Sequence, residues 1–85
     1  MPLRTPVAFR VTGTGAFVAV KATQYSFTGE LTADSANGSS IELRVDASAD
    51  SILMPASAVV YFEGVDLNRL QIKGDGLVLI VQGTK

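Results

Sequence analysis

Turn-forming residues interrupt this chain so often that no window of about a dozen residues sustains a helical stripe. Each such window meets a glycine, a proline or a cluster of β-branched side chains. Val, Ile and Thr supply 21 of the 85 residues, and eight glycines and three prolines are spread along the whole length. What remains is a series of short alternating runs bounded by turn signals, the pattern of an all-β fold.

The runs can be read in order. In Val7–Thr12, Val7, Phe9 and Val11 share one face while Arg10 and Thr12 share the other. Gly13-Thr14-Gly15 breaks that run, and Ala16–Thr23 follows with apolar residues on both faces at first, as a central or covered strand would have. Tyr25–Thr32 turns Tyr25, Phe27 and Leu31 inward, with Gly29 marking a bulge. Asn37-Gly38 tolerates positive φ and reads as the corner of a tight hairpin. Ile41–Asp46 alternates most cleanly, with Ile41, Leu43 and Val45 inward. Ala47–Ser57 reads as a long connection, Ala58–Glu63 as a strand ended by Gly64, and Val65–Leu67 and Leu70–Lys73 as short runs around Asn68-Arg69. Gly74-Asp75-Gly76 is a second hairpin signal, and Leu77–Val81 closes the series. About seven or eight short antiparallel strands are expected, packed as a compact β-sandwich or small β-barrel. The domain organisation expected is an extended N-terminal arm over 1–6, a single all-β domain over 7–82 and a C-terminal tail over 83–85.

Composition bounds the function. Seven basic and eight acidic side chains leave a net charge of −1, which offers no broad attraction to nucleic acid or anionic lipid. No apolar run exceeds five residues, Leu77–Val81 being one, so no membrane span is expected. The first residues lack the order of a secretory signal. With no cysteine and no histidine, thiolate and imidazole metal sites and histidine-based nucleophilic catalysis are excluded. Ser-Lys pairs with Lys21 or Lys73 lie in no catalytic motif. Asp34, Asn37 and Ser39 gather oxygen-bearing side chains in one loop but fall short of a calcium loop, and Gly13-Thr14-Gly15 is not followed by a helix that could hold a phosphate. No enzymatic activity, cofactor or metal is expected. Four Phe and two Tyr could provide stacking platforms, but most fall at inward positions.

The unusual feature is a surplus of apolar strand surface. Charged residues make up 18% of the chain, below the ~25% of an ordinary soluble domain. Ala16–Ala22, Ala58–Phe62 and Leu77–Val81 present apolar side chains on both faces, whereas a two-layer domain buries only one. A stable contact with other protein follows. The residues expected to carry it are Phe17, Val59, Tyr61, Val78 and Ile80, together with Leu3 and Arg4 of the proline-containing arm, which is suited to lie in a neighbour's groove.

The runs Phe9-Arg-Val-Thr-Gly-Thr-Gly-Ala-Phe-Val-Ala-Val-Lys21 and Leu67-Asn-Arg-Leu-Gln-Ile-Lys-Gly-Asp-Gly-Leu-Val-Leu-Ile80 resemble small β-rich virion proteins of tailed bacteriophages, over roughly a third of the chain. The resemblance implies a capsid decoration (cement) protein or a small tail or fibre component. Such a protein is made in the host cytoplasm and resides in the virion. It binds other virion proteins and its own copies, often as a trimer, and has no active site to transfer. The competing expectation is a small binding module whose loop rim recognises a carbohydrate or host-surface ligand.

Overall fold

A computed structural model of the chain describes residues 4–85. The strands are β1 (Pro6–Thr12), β2 (Val18–Ala19), β3 (Ser26–Ala33), β4 (Ile41–Val45), β5 (Ile52–Met54), β6 (Val59–Asp66), β7 (Leu70–Lys73) and β8 (Val78–Thr84). A 3-10 turn, Leu67–Arg69, joins β6 to β7. The chain is all-β, in two antiparallel sheets of four strands ordered β1-β8-β3-β6 and β2-β7-β4-β5. The pairs β1/β8, β2/β7, β3/β6 and β4/β5 show the logic. The chain behaves as one long antiparallel hairpin folded at β4–β5 and then rolled up, so that β3 also meets β8 and β4 also meets β7. That is the double-sheet jelly-roll arrangement, a sandwich and not a closed barrel.

Period-two alternation explains the core. In the first sheet, Phe9, Val81, Leu31 and Val60 form one inward row across the strands, and Val7, Gly83, Gly29 and Phe62 form the next. Leu43, Ile72, Leu70 and Ile41 answer from the second sheet, with Met54 and Leu67 closing the layer. Among the described residues no polar side chain is buried.

Several boundaries and connections differ from expectation, because consecutive strands mostly belong to opposite sheets. Asn37-Gly38 is not a hairpin corner: β3 and β4 lie in different sheets, and Gly38 is not at positive φ. The turn is instead set by Asp34, whose carbonyl accepts from the Asn37 amide (3.0 Å) and whose carboxylate accepts from the Ala36 amide (2.9 Å). Asn37 then exchanges two hydrogen bonds with the Val78 backbone, at 3.0 and 2.9 Å, tying this crossing to β8. Gly74-Asp75-Gly76 likewise turns from one sheet to the other, and its amides donate to the carbonyls of Gly13 and Thr14.

The run Ala16–Thr23 contributes only β2, on a sheet edge and not in a centre. Beyond Val20 the Asn68 side-chain amide donates to the carbonyls of Lys21 and Ala22, at 3.0 Å each, as the chain leaves for the other sheet. The supposed connection 47–57 contains β5, and Val45, expected inside, is exposed at the open end of its strand. The bulge beside Gly29 is present, but the extra residue lies on β6. Glu63 and Gly64 together face Thr28, Gly64 takes φ +63°, and its amide donates to the Thr28 hydroxyl (2.8 Å). Gly64 therefore bends β6 without ending it. The expected tail 83–85 is also part of the sheet: β8 runs through Thr84, and Lys85 exchanges two backbone hydrogen bonds with Thr5 (2.8 and 3.2 Å). At the other end the ladder takes up Thr5 and Pro6, so 1–6 is not all arm; Met1–Leu3 lie outside the described residues.

Candidate interaction surface

The rolled topology gives the sandwich two unlike flanks. On one flank, where β1 and β2 are the edges, the Lys21 ammonium lies 4.2 Å from the centre of the Phe9 ring and 5.0 Å from that of Tyr25. The two rings meet edge-on at 6.0 Å. A cation with a long aliphatic stem thus covers the core at that side.

The β5/β6 flank has no such cover. There a cleft of about 410 Å³ opens between the sheets, lined by Leu43, Val45 and Ile52 on one side and Val60 and Phe62 on the other, with Asp50 and Ser51 at its rim. Ile52 pairs with Leu43 and so faces the core, yet it sits on an edge strand with nothing beyond it. Among the described residues, the large hydrophobic ones that remain exposed are Val45 (45%), Ile52 (52%), Leu53 (65%), Val59 (52%) and Tyr61 (60%). All of them belong to β4, β5 or β6. Scattered apolar exposure is ordinary; here the exposed residues all lie on the strands of one flank.

The expected interface residues divide accordingly. Val59 and Ile80 lie in one outward row of the first sheet, separated by Thr32, and Tyr61 lies in the adjoining row with Glu30 and Gln82. Val78 continues the same face beside Thr12. These four are brought together, with Val59 and Tyr61 exposed and Val78 and Ile80 half-buried. Phe17 is elsewhere, half-buried on the outer side of the second sheet under the Arg44 guanidinium, 3.8 Å from the ring centre. Arg4 donates to the Thr84 hydroxyl at 3.4 Å, on the same outer face and one row beyond Tyr61, Glu30 and Gln82. Leu3 lies outside the described residues.

Sequence reasoning missed Val45, Ile52 and Leu53. The signal for β5 was the three-residue apolar run Ile52-Leu53-Met54 between Ser51 and Pro55, too short to show a period.

The groups considered for chemistry have structural occupations. One Asp34 oxygen accepts from the Ala36 amide and the other from Arg10 (3.2 Å), while the Asn37 carbonyl oxygen accepts from Val78. Arg69 forms a two-pronged pair with Asp46, at 3.1 and 2.8 Å. Hydrogen bonds from that guanidinium hold the Asp46 carboxyl below its ordinary value, and the same bonds raise Arg69. Lys73 lies opposite Glu42 and beside Phe17. Among the described residues no group of three or more carboxylates is placed to hold a metal ion. Comparison with protein-family models, with curated proteins and with solved structures returns no match to this chain.

Proposed function

We propose that this chain is a non-enzymatic structural protein of a phage particle, a capsid decoration protein or a small tail component, that attaches through apolar protein–protein contacts. The observation that carries the reading is the gathering of Val45, Ile52, Leu53, Val59 and Tyr61 on the β5/β6 flank. A domain of 85 residues has little core to spare, and leaving five large apolar side chains in water weakens the hydrophobic contribution that holds it together. Covering that flank with protein recovers the contribution. The jelly roll adds support by analogy alone, since capsid domains use it widely and lectins use it too. The resemblance of Phe9–Lys21 and Leu67–Ile80 to phage virion proteins points the same way.

Mass spectrometry and electron microscopy of purified particles should find the chain in the virion with its β5/β6 flank covered. Ile52→Asp together with Tyr61→Asp should then weaken attachment while leaving the far-UV circular dichroism unchanged. Attachment of that variant at wild-type strength would remove the basis for the reading. Glycan binding that depends on Tyr61, in a chain absent from particles, would favour the carbohydrate-binding alternative instead.

A further inference from the structure

The first sheet has two free edges, and they are treated differently. Thr5 and Lys85 exchange both of their backbone hydrogen bonds, so Val7, Phe9 and Val11 direct their backbone groups toward β8. Pro6, Ala8, Arg10 and Thr12 direct theirs outward. That edge is guarded by familiar devices: Pro6 has no N–H to offer, Arg10 is charged, and Lys21 lies over the neighbouring Phe9. The β6 edge is guarded only at its far end, by Glu63 and the bulge at Gly64. The Asp34 amide donates to the Val78 carbonyl and the Ala33 amide to the Ala58 carbonyl (3.0 and 2.9 Å), which fixes the alternation across β3. Val60 and Phe62 therefore direct their backbone groups toward β3, and Val59 and Tyr61 direct theirs outward, with Glu63 the last before the bulge at Gly64. The stretch Val59–Phe62 carries no charge, no proline and no glycine.

We propose that β6 pairs antiparallel with β6 of a second copy across a two-fold axis at Tyr61. This rests on the reading of the flank as a protein contact and names its occupant. The register follows from the edge. Centring on Tyr61 sets Tyr61 opposite Tyr61 of the second copy and Val59 opposite its Glu63, and uses the whole length between the start of β6 and its bulge. The outward-directed groups of Val59, Tyr61 and Glu63 all meet partners, and the outer faces of the two sheets become one. Charge permits the arrangement. The two Glu63 carboxylates end ~13 Å apart, four residues along the strand direction, which is beyond the ~8 Å screening length at physiological salt.

Size sets its strength. The paired stretch Val59–Glu63 is ~17 Å long, and with the molecule's smallest extent of 17 Å as its depth it covers ~290 Å² on each copy, so two copies bury ~600 Å², the size of a weak and transient contact. A weak, reversible dimer, populated at ~100 μM, is therefore expected, with the cleft of one copy beside that of the other.

A chain without cysteine makes the test direct, because a single engineered thiol is unique. Tyr61→Cys should give a disulfide-linked dimer under mild oxidation, since facing residues of an antiparallel pair lie within disulfide reach. Ala8→Cys, on the guarded edge, should not. Sedimentation equilibrium of the unmodified chain should show monomer and dimer. Val59→Glu, which sets a second carboxylate opposite Glu63 of the other copy, should weaken the dimer at least tenfold, as should Tyr61→Pro, which removes an N–H that no strand within the chain uses. A monomer up to ~100 μM, a trimer, or cross-linking through Ala8→Cys as readily as through Tyr61→Cys would overturn the two-fold pairing. The two readings fail separately. If the isolated chain is monomeric but Val59→Glu loses attachment to particles, the pairing is wrong and the virion role stands. If the dimer forms and particles lack the chain, the reverse holds.

Discussion

Gly29 and Gly83 face each other across the ladder between β3 and β8, and the ring of Phe27 lies over both. A Cβ on Gly83 would stand 2.7 Å from the Gly29 Cα and 2.9 Å from the Phe27 ring, and it would also press on the Thr28 carbonyl. Phe27 fills the inward space that two side chains would otherwise occupy. Gly83→Val should therefore destabilise the fold by ~2–4 kcal/mol, since backbone cannot yield as a flexible side chain can. A urea titration measures it, and a loss below ~1 kcal/mol would contradict this packing.

Leu43 and Val45 point the same way from β4, but only Leu43 is enclosed, at 2% exposure. Leu43→Ala should cost ~2–5 kcal/mol and Val45→Ala under ~1 kcal/mol. Equal shifts in the denaturation midpoint would mean that the open flank is closed in the free protein.

The connection between β3 and β4 gives a contrast between adjacent residues. Asn37→Ala removes both side-chain hydrogen bonds to the Val78 backbone and should cost ~1–3 kcal/mol. Gly38 has open space where a Cβ would go and no positive φ, so Gly38→Ala should change stability by less than ~0.5 kcal/mol. Thermal unfolding of the two variants should differ in that order.

The Asp46–Arg69 pair should make stability depend on pH in one direction. The folded carboxyl titrates below its unfolded value, so its contribution is present above the ordinary carboxylate range of ~4 and is lost as the pH falls through the folded value. Asp46→Asn keeps a side chain that tolerates φ +55° while removing the charge. The stability difference between wild type and this variant should be small at pH 6, because the pair is exposed, and should shrink further at pH 3 or in 1 M salt. A difference that grows on acidification would reverse the assignment.

Much of the strand content was readable because alternation survives wherever one face of a strand is buried. Val7–Thr12 and Ile41–Val45 announce themselves in that way. Connectivity was not readable. Asn37-Gly38 carries the local chemistry of a hairpin, yet β3 pairs with β6 and β8, far away in sequence, and a turn signal cannot say to which sheet the chain goes next. The exposed apolar flank was half visible: Val59 and Tyr61 stood out because β6 is apolar on both faces, whereas Ile52 and Val45 look like core and are exposed only because the sandwich is open beside them. Phe17 lies apart from that flank. Its apolar neighbours suggested a contact, but the Arg44 guanidinium already lies over its ring.

The pairing of β1 with β8, β2 with β7 and β3 with β6 has a kinetic consequence. Only β4 and β5 are joined by a short loop within one sheet, residues 46–51, so every other ladder must close a large loop before its contacts repay the lost chain entropy. The chain should begin at β4–β5 and zip outward toward its two ends, with refolding in the range of milliseconds to seconds. The ladder that holds Thr5 beside Lys85 would then be the last to form and the first to fray.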